Sequence, residues 1–179
     1  MAIRKFKGKL PRIGNAVFID DSAVVIGDVT LGDDVSIWPS TVVRGDVESI
    51  TIGSGTNVQD GAVLHVSHAG PYAPKSQPLI IGNNVTIGHN AVVHACTVGN
   101  ACLIGIGAII LDAAVLEDYV MLGAGALVPP GKTLVSGYLY VGSPARQARP
   151  LKESEIAFLD YSAQHYIELK NAYLNDIEP

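Results

Sequence analysis

Aliphatic residues recur at every sixth position along most of this 179-residue chain, and no other feature of the sequence constrains the fold as strongly. A period of six fits neither the 3.6-residue period of an α-helix nor the simple alternation of a long strand. It predicts a short strand followed by a tight corner, repeated, with each aliphatic side chain pointing into a narrow interior. A small or β-branched residue comes four positions later, and glycine often follows the aliphatic residue directly, where the backbone bends. The expected inward positions are Ile19, Val25, Leu31, Ile37, Val43, Ile52, Val58, Leu64, Ile81, Ile87, Val93, Val98, Ile104, Ile110, Leu116, Leu122, Val128 and Leu134.

Three such hexads close a triangular coil, and successive coils stack at the inter-strand spacing of about 4.8 Å. The sequence therefore predicts an all-β solenoid, a parallel β-helix of hexapeptide repeats, over residues 1–145. An ordinary β-sandwich would need clusters of turn residues about every 8 to 12 positions, and the chain does not supply them. Two segments break the period: residues 66–78 predict an extruded loop, and residues 150–177 predict an amphipathic C-terminal helix packed on the β-helix.

The formal net charge of the chain is -5, and its Lys and Arg residues form no cluster. Because nucleic acids and anionic membranes attract basic patches, neither is an expected partner. No apolar run approaches the roughly 18 to 20 residues that cross a bilayer, and the basic N-terminal segment lacks the apolar stretch of a secretory signal. The two cysteines, Cys96 and Cys102, do not make a disulfide framework, so the sequence favours a reducing, cytoplasmic location.

Three histidines occupy defined positions in the repeat. His65 follows the inward Leu64 and His94 follows the inward Val93, so their imidazoles are expected one above the other on successive coils. A single histidine at such a position is usually a hydrogen-bonded surface residue, but two in register beside the long loop favour a shared metal ion. His89 falls one hexad earlier, on a different corner, where the filled prism separates it from the other two.

A third ligand from His89 would therefore have to come from a neighbouring molecule. Prisms packed corner against corner close into a trimer with three equivalent interfacial sites. Three neutral imidazoles with an open fourth position are typical of a hydrolytic Zn²⁺ site, and Fe²⁺ or Co²⁺ also fits such a ligand set.

Other polar residues lie near these histidines in the sequence. Arg44 and Asp46 carry opposite charges where the period slips by three residues, and they are expected to pair, within one chain or between two. Asn57, Gln59 and Asp60 come one hexad before the first histidine. They are suited to orient a metal ligand or a bound water, or simply to form a corner turn.

The remaining candidates are individual side chains. His68 and Tyr72 lie in the predicted loop, and they are suited to relay protons or are plain solvated residues. Cys96 comes two residues after His94, and we favour a small packing thiol over a metal ligand. His165 falls on the predicted helix and is interpreted as structural.

Through these residues the sequence resembles the gamma-class carbonic anhydrase family, especially its short bacterial members, which are also labelled hexapeptide-repeat transferase-like or ferripyochelin-binding-like proteins. The resemblance covers nearly the whole chain, including the C-terminal helix. The matching runs are Val43-Arg44-Gly45-Asp46, Asn57-Val58-Gln59-Asp60, Gly88-His89 and Gly137-Tyr138-Leu139-Tyr140-Val141-Gly142-Ser143-Pro144, together with His65 and His94.

The resemblance implies a left-handed β-helix that forms a homotrimer, with zinc held by His65 and His94 of one subunit and His89 of the next. The implied activity is the reversible hydration of carbon dioxide to bicarbonate by metal-bound hydroxide at the trimer interfaces. Carbon dioxide and bicarbonate would then be the small-molecule partners of the site.

The same resemblance implies that Arg44 and Asp46 bridge subunits and that Gln59 contacts the metal-bound water. The chain departs from the family pattern directly after the Arg-Gly-Asp triplet, where Val47 replaces a glutamate. Glu48 comes one place late and is expected to point elsewhere, because side chains alternate along a strand. The acidic loop that carries the family's shuttle glutamate is also missing, so the histidine or the tyrosine of the long loop would have to substitute.

Two other functions stay open. A metal-dependent acyl-CoA thioesterase would use the same scaffold and the same nucleophile on a thioester carbonyl. A non-catalytic metal-binding trimer, serving in assembly or metal storage, is compatible with the missing shuttle carboxylates. A hexapeptide acyltransferase fits less well, because those enzymes generally need one catalytic histidine and no three-ligand cluster.

Overall fold

The structure is a computed structural model, and it describes residues 3–176. Within that range it contains twenty short strands followed by one helix. The first ten strands are β1 (Ile3–Arg4), β2 (Arg12–Ile13), β3 (Phe18–Ile19), β4 (Val24–Leu31), β5 (Ser36–Ile37), β6 (Val42–Ile52), β7 (Asn57–Val58), β8 (Val63–His65), β9 (Leu79–Ile81) and β10 (Thr86–Ile87). The later elements are β11 (Val92–His94), β12 (Thr97–Val98), β13 (Leu103–Ile104), β14 (Ile109–Ile110), β15 (Val115–Leu116), β16 (Met121–Leu122), β17 (Leu127–Val128), β18 (Thr133–Leu134), β19 (Tyr138–Val141), β20 (Arg146–Pro150) and α1 (Glu153–Asp176).

The strands wind into a left-handed parallel β-helix with three flat faces. The first face stacks the starts of β4 and β6 with β8, β11, β14 and β17, and the second stacks their ends with β9, β12, β15 and β18. The third face stacks β3, β5, β7, β10, β13, β16, β19 and β20. Partners on successive coils are three hexads apart, as Ile104 and Leu122 are. The fold class that the period predicts is therefore confirmed.

The interior of the prism consists of the predicted aliphatic residues, each stacked on its counterpart in the next coil. Leu64, Val93 and Ile110 illustrate this on the first face, where all three are fully buried. Burying one such side chain contributes about 1.5 to 3 kcal/mol, so the repeat is also the main source of stability. Ile19, in the first coil, is only partly buried.

The interior differs from the sequence pattern at two places. The pattern predicts a small or β-branched corner residue four positions after Val93, at Thr97, but Thr97 is exposed, and Cys96 takes the buried corner because this hexad is one residue short. The column also continues past its predicted end at Leu134, since Tyr140 of β19 stacks on Leu122 and is buried.

Glycine is required where successive corners approach most closely. A Cβ atom on Gly53 would lie 2.5 Å from the backbone of Gly82, and Gly82 is similarly crowded by the following coil. Beside this column, Asn83 Nδ2 donates to Asn100 Oδ1, and Asn100 Nδ2 donates to Asp118 Oδ1. These backbone contacts and side-chain hydrogen bonds keep the coils in register.

The three-residue slip appears as a bulge in β6, at the corner between the first two faces. Gly27 pairs with Gly45 and Val29 pairs with Ile50, so residues 46–49 oppose a single residue of β4. Extra residues in one strand of a pair bend that strand and re-aim its side chains. Strand alternation therefore does not apply within the bulge.

Residues 66–78 leave the prism between β8 and β9, where the sequence predicts an extruded loop. Backbone bridges join Ser67 to Gln77 and Gly70 to Ala73, which makes the segment a short hairpin. Because β8 and β9 still pair with the coils on either side, the excursion leaves the stack intact.

The helix begins at Glu153, three residues into the segment that the sequence predicts as helical. Pro150 instead ends β20, which pairs antiparallel with β19 at the edge of the last coil. Glu155 Oε2 accepts a hydrogen bond from the Lys152 amide at 2.9 Å and so fixes the start of the helix. Ile177, the predicted last helical residue, lies outside the described residues, as do the first two residues of the predicted β-helix.

The helix packs on the third face. Leu159 is buried there, and Tyr166 lies edge-on to Trp38 with ring centroids 5.6 Å apart. Lys170 is fully buried, and its Nζ lies 2.8 Å from Asp34 Oδ1, a pairing that offsets the cost of burying the charge. No helix among residues 3–176 is both long and apolar enough to cross a membrane.

Candidate metal centre

Two histidine rings face each other on the first face of the β-helix. The parallel register of β8 and β11 places His94 directly against His65, as the period predicts. Nδ1 of His65 lies 3.2 Å from Nε2 of His94, and the ring centroids are 5.2 Å apart. The repeat therefore brings two metal-ligating nitrogens together within one chain.

A carboxylate holds the far nitrogen of each ring. His65 Nε2 lies 2.9 Å from Asp46 Oδ1, and His94 Nδ1 lies 2.5 Å from Asp112 Oδ1. Because an ionised carboxylate only accepts hydrogen bonds, each far nitrogen is the donor of its contact, and in a neutral ring it carries the single proton. The two nitrogens that face each other then both present lone pairs, an arrangement that a bound cation relieves.

The spacing of the facing nitrogens suits a metal ion. Two nitrogen ligands at about 2.0 to 2.1 Å from a tetrahedral Zn²⁺ are about 3.3 Å apart, close to the observed 3.2 Å. Within residues 3–176 of a single chain, no three His, Cys, Asp or Glu side chains gather in a metal-binding arrangement. Within one chain the pair therefore supplies two ligands, and the described residues offer no third beside it.

Asp46 stays ionised in this setting. Burial raises the pKa of its carboxyl group, but hydrogen bonds from His65 and Arg44 outweigh burial and lower the pKa overall. Arg44 Nη1 donates to Asp46 Oδ2 within one chain, which is one of the two pairings that the sequence leaves open. The bridging of subunits by these residues remains a prediction.

His89 lies on the turn after β10, on a different face from the pair. Its Nδ1 lies 2.9 Å from Asp60 Oδ2, so a carboxylate holds this ring as well and leaves Nε2 for another partner. Both side chains are open to solvent, since 41% of His89 and 49% of Asp60 is exposed.

A buried hydrogen-bond network lies beside His89, under the helix. Gln59 Nε2 donates to Asn57 Oδ1 at 3.1 Å, and Asn57 Nδ2 donates to Thr86 Oγ1 at 3.0 Å. Thr86 Oγ1 lies 3.0 Å from Ser162 Oγ of α1, so the network joins two strands to the helix. Gln59 keeps a small exposed fraction of 6%, whereas Asn57 is completely buried.

The polar residues that come one hexad before the first histidine in the sequence therefore lie beside a different histidine in the structure. Asn57, Gln59 and Asp60 lie on or after β7, which pairs with β10 of the third face, so their neighbour is His89 and not His65. Of the three, Asp60 contacts a histidine directly, and Asn57 is tied into the packing of the helix.

A groove with a volume of about 520 Å³ runs between α1 and the third face. Gln59 and Gly88 contribute to its lining, so it adjoins the turn that carries His89. Among the described residues that line it, none is Asp, Glu, Lys or Arg. Its apolar walls include Ile106, Met121, Leu139, Phe158 and Tyr161.

A polar cavity of about 540 Å³ lies on the other side, at the bulge of β6. Asp46, Glu48, His68 and Ser76 line it, together with Lys9. Simple strand alternation would point Glu48 elsewhere. It faces the cavity because the extra residues of the bulge break strand alternation. Hydrogen bonds from the Ser76 hydroxyl and from the Ser49 backbone amide lower the pKa of Glu48, so this carboxylate is ionised.

The other candidates lie outside these contacts. Tyr72 is fully exposed at the tip of the hairpin. Cys96 and Cys102 are free and buried, and burial raises the pKa of each thiol to about 12, which makes both poor metal ligands and nucleophiles. His165 is exposed on α1 and stacks on Tyr161.

Sequence reasoning missed one carboxylate at the pair, Asp112, and gave the wrong direction for Glu48, which lines the polar cavity. Glu48 is hidden by the bulge, whose shape the repeat does not specify. Asp112 has a simpler signal, because it lies 18 residues after His94, one full coil further along the prism. A search one coil above and below each candidate ligand would have found it.

The sequence matches one protein family and several known proteins. The family described as Bacterial transferase hexapeptide (six repeats) matches residues 11–45. The sequence is 54% identical over 173 residues to Protein YrdA of Escherichia coli (strain K12), covering 97% of this chain and 94% of the relative. It is 41% identical over 157 residues to the Probable carbonic anhydrase of Methanocaldococcus jannaschii, covering 88% of this chain and 94% of that relative.

A plant relative and a solved structure agree with these matches. Gamma carbonic anhydrase 1, mitochondrial, of Arabidopsis thaliana is 46% identical over 165 residues, covering 92% of this chain and 60% of the relative. The crystal structure of a hexapeptide transferase family protein from Anaplasma phagocytophilum superposes with a TM-score of 0.89 at 42% identity, covering 96% of this chain and 98% of that chain.

Proposed function

Because this chain belongs to the gamma-class carbonic anhydrase family, we propose that it catalyses the reversible hydration of carbon dioxide to bicarbonate. The observation that carries the proposal is the pair of His65 and His94, whose facing nitrogens are separated by the spacing of two ligands on one metal ion. Carboxylates behind both rings support it, since such partners orient the imidazoles of metal ligands.

In the proposed enzyme, zinc is held by His65 and His94 of one subunit and by His89 of the next, in a homotrimer with three interfacial sites. The same ligand set also fits Fe²⁺ or Co²⁺. When bound, the metal lowers the pKa of a coordinated water and so supplies a nucleophile near neutral pH. The free, buried thiols are consistent with a cytoplasmic protein.

The residues around the histidines have separate proposed roles. Asp46 and Asp60 hold two of the rings, and Arg44 keeps the first carboxylate ionised and in place. Gln59 is held through its Nε2 by Asn57, which leaves its carbonyl oxygen to accept a hydrogen bond from a water at the composite site. The uncharged groove beside it suits the approach of carbon dioxide, a small neutral molecule.

Proton release is assigned to the opposite, polar side. His68 is exposed and lines the cavity that also holds Asp46 and Glu48. Because the pKa of Glu48 is lowered, that carboxylate remains ionised and is a poor carrier near neutral pH. An imidazole is suited to take up and release protons there, so we assign the shuttle to His68.

Stopped-flow measurement of carbon dioxide hydration tests the proposal. Metal-replete protein should accelerate the reaction well beyond the same concentration of aqueous zinc, and His89→Ala should abolish the acceleration. Gln164→Ala is the control, since this exposed residue of α1 contacts no proposed ligand and does not line the groove. Full metal occupancy without a rate above that of free zinc would remove the proposal.

A second candidate is hydrolysis of an acyl-CoA thioester, and the size of the groove favours it. About 520 Å³ is far more than carbon dioxide needs and lies in the range of pockets that hold larger ligands. The absence of Lys and Arg from the described lining means that the groove fits the acyl chain and not the phosphates of coenzyme A. The phosphates would then have to remain outside.

A panel of acyl-CoA esters separates the two reactions. The thioesterase function predicts that kcat/KM rises with acyl chain length, and that Met121→Trp, which narrows the groove, removes this dependence while sparing carbon dioxide hydration. If metal binds and neither reaction is accelerated, the trimer is a non-catalytic metal-binding protein.

A further inference from the structure

We propose that Asp112 is a positioning residue that selects the tautomer of His94 whose Nε2 is free to bind a metal ion. The inference rests on the proposed function, because it concerns the same pair of histidines. Its basis is one contact, in which Asp112 Oδ1 lies 2.5 Å from Nδ1 of His94. Among residues 3–176, the Asp112 side chain makes no other hydrogen bond or ion pair. Substituting Asp112 therefore tests a single interaction.

The two rings of the pair are held in opposite tautomers. Nε2 of His65 directs its proton to Asp46, whereas Nδ1 of His94 directs its proton to Asp112. The two free lone pairs are consequently on Nδ1 of His65 and Nε2 of His94, the nitrogens that lie 3.2 Å apart. In the other tautomer of His94, a proton would lie between these nitrogens and occupy the position of the metal. The carboxylate therefore decides whether the pair can chelate.

Coil stacking fixes the position of this carboxylate. β14 ends at Ile110 and pairs with β11, so the turn that follows it stacks on the turn after His94. The Ala113 amide donates to the Ala95 carbonyl at 2.7 Å, and both residues have positive φ, 58° and 46°. The same turn thus repeats one coil later, and this repetition places Asp112 beside the ring.

The test variant is Asp112→Asn, because asparagine keeps the shape of aspartate but offers an amide that can donate to Nδ1 of His94. Nitrogen NMR of the imidazoles in the metal-free protein reports which nitrogen carries the proton. We expect the Nδ1–H form of His94 in the parent and a shift towards the Nε2–H form in the variant. Zinc affinity, measured by competition with a chelator, should fall about 10- to 100-fold.

Asp118→Asn is the matched control. Asp118 lies one hexad further along and accepts hydrogen bonds from the amide and the side chain of Asn100, away from the histidines. This variant should keep the parent's tautomer and zinc affinity. A variant with a structural defect alone would lose thermal stability without changing the His94 tautomer.

The outcomes separate this inference from the proposed function. An unchanged His94 tautomer in Asp112→Asn overturns the inference whatever the zinc affinity, and a changed tautomer with the parent's zinc affinity overturns it as well. If the parent binds no zinc, the proposed function fails. The metal-free parent then still decides the inference, because finding His94 in its Nε2–H form rejects it.

Discussion

The two parts of the candidate centre are built differently. His65 and His94 stack on adjacent coils of one face, and both rings are partly buried between carboxylates and neighbouring strands. His89 is a single ring on a turn of another face, with 41% of its side chain exposed and only Asp60 behind it. A solenoid can therefore align two ligands by register alone, but its filled interior keeps a ligand on another face out of reach. In the proposed trimer, the third ligand therefore comes from a neighbouring subunit.

The surroundings of the two parts differ as well. The pair adjoins a polar cavity with ionised carboxylates, two lysines and His68, whereas His89 adjoins a mostly apolar groove without Asp, Glu, Lys or Arg in its described lining. One side is suited to moving protons and the other to admitting a neutral substrate. If the parts meet across an interface, each centre receives both environments, and that is the advantage of dividing the ligands between two chains.

The largest effect should come from removing one part of the candidate centre in each of two variants. His65→Ala and His89→Ala should each reduce bound metal to background, because each leaves every interface with an incomplete ligand set. In equal mixtures that form mixed trimers at random, about a quarter of the interfaces join an intact pair to an intact His89. Metal analysis and native mass spectrometry should find about that fraction of sites restored. Mixed trimers with no occupied site would show that the third ligand is not His89 of a neighbour.

Removing the carboxylates behind the rings should have the next largest effect. Asp46→Asn and Asp60→Asn should each weaken zinc binding about 10- to 100-fold. The loss should be greater for Asp46, because 18% of its side chain is exposed, against 49% for Asp60, and it also pairs with Arg44.

Chelator competition measures both affinities, and Asp33→Asn is the control, since Asp33 contacts Asn15 and no histidine. Equal losses of zinc affinity for Asp46→Asn and Asp60→Asn would mean that His65 is positioned no more firmly than His89.

The network beside His89 should affect stability more than metal binding. Asn57→Ala leaves the Gln59 amide without its hydrogen-bond partner and leaves the buried Thr86 hydroxyl with Ser162 alone, which costs about 1 to 3 kcal/mol of unfolding free energy. Urea denaturation measures the loss, and Gln164→Ala, at an exposed position on the helix, should be close to neutral. A large loss of zinc affinity in Asn57→Ala would instead place this residue in the metal centre.

The smallest effect should come from the proton path. His68→Ala should lower the rate of carbon dioxide hydration a few-fold in dilute buffer, and added imidazole should restore it, because buffer then carries the proton. Stopped-flow assays at several buffer concentrations measure this. Tyr72→Phe should behave like the parent, since Tyr72 is fully exposed and is not among the residues that line the cavity. A defect in His68→Ala that no buffer rescues would point to a structural role.

Much of this molecule could be predicted because its repeat is local. The period determines which side chains point inward, and counting hexads places His94 on His65 without any knowledge of distant contacts. The same counting places His89 on another face. The regular corners leave little for tertiary packing to change.

The rest depends on irregular features that a period cannot describe. Glu48 turns towards the cavity because the bulge breaks alternation and Ser76 of the hairpin binds it. Asn57 is tied to the helix through Ser162, 76 residues after Thr86, a contact that hexad counting does not reach. Lys170 is buried although lysine is usually exposed, because its ammonium group pairs with the Asp34 carboxylate.

The bulge in β6 has a practical consequence for how such a protein can diversify. Pairing resumes at Val29 and Ile50 directly after the extra residues, so insertions at this edge leave the spacing of the coils above and below unchanged. Acid–base residues can therefore be exchanged after Asp46 within the bulge, while Asp46 and the pairing of the coils, which position the two imidazoles, are kept. For the same reason, this edge is the position at which new chemistry can be grafted onto the scaffold without redesigning its interior.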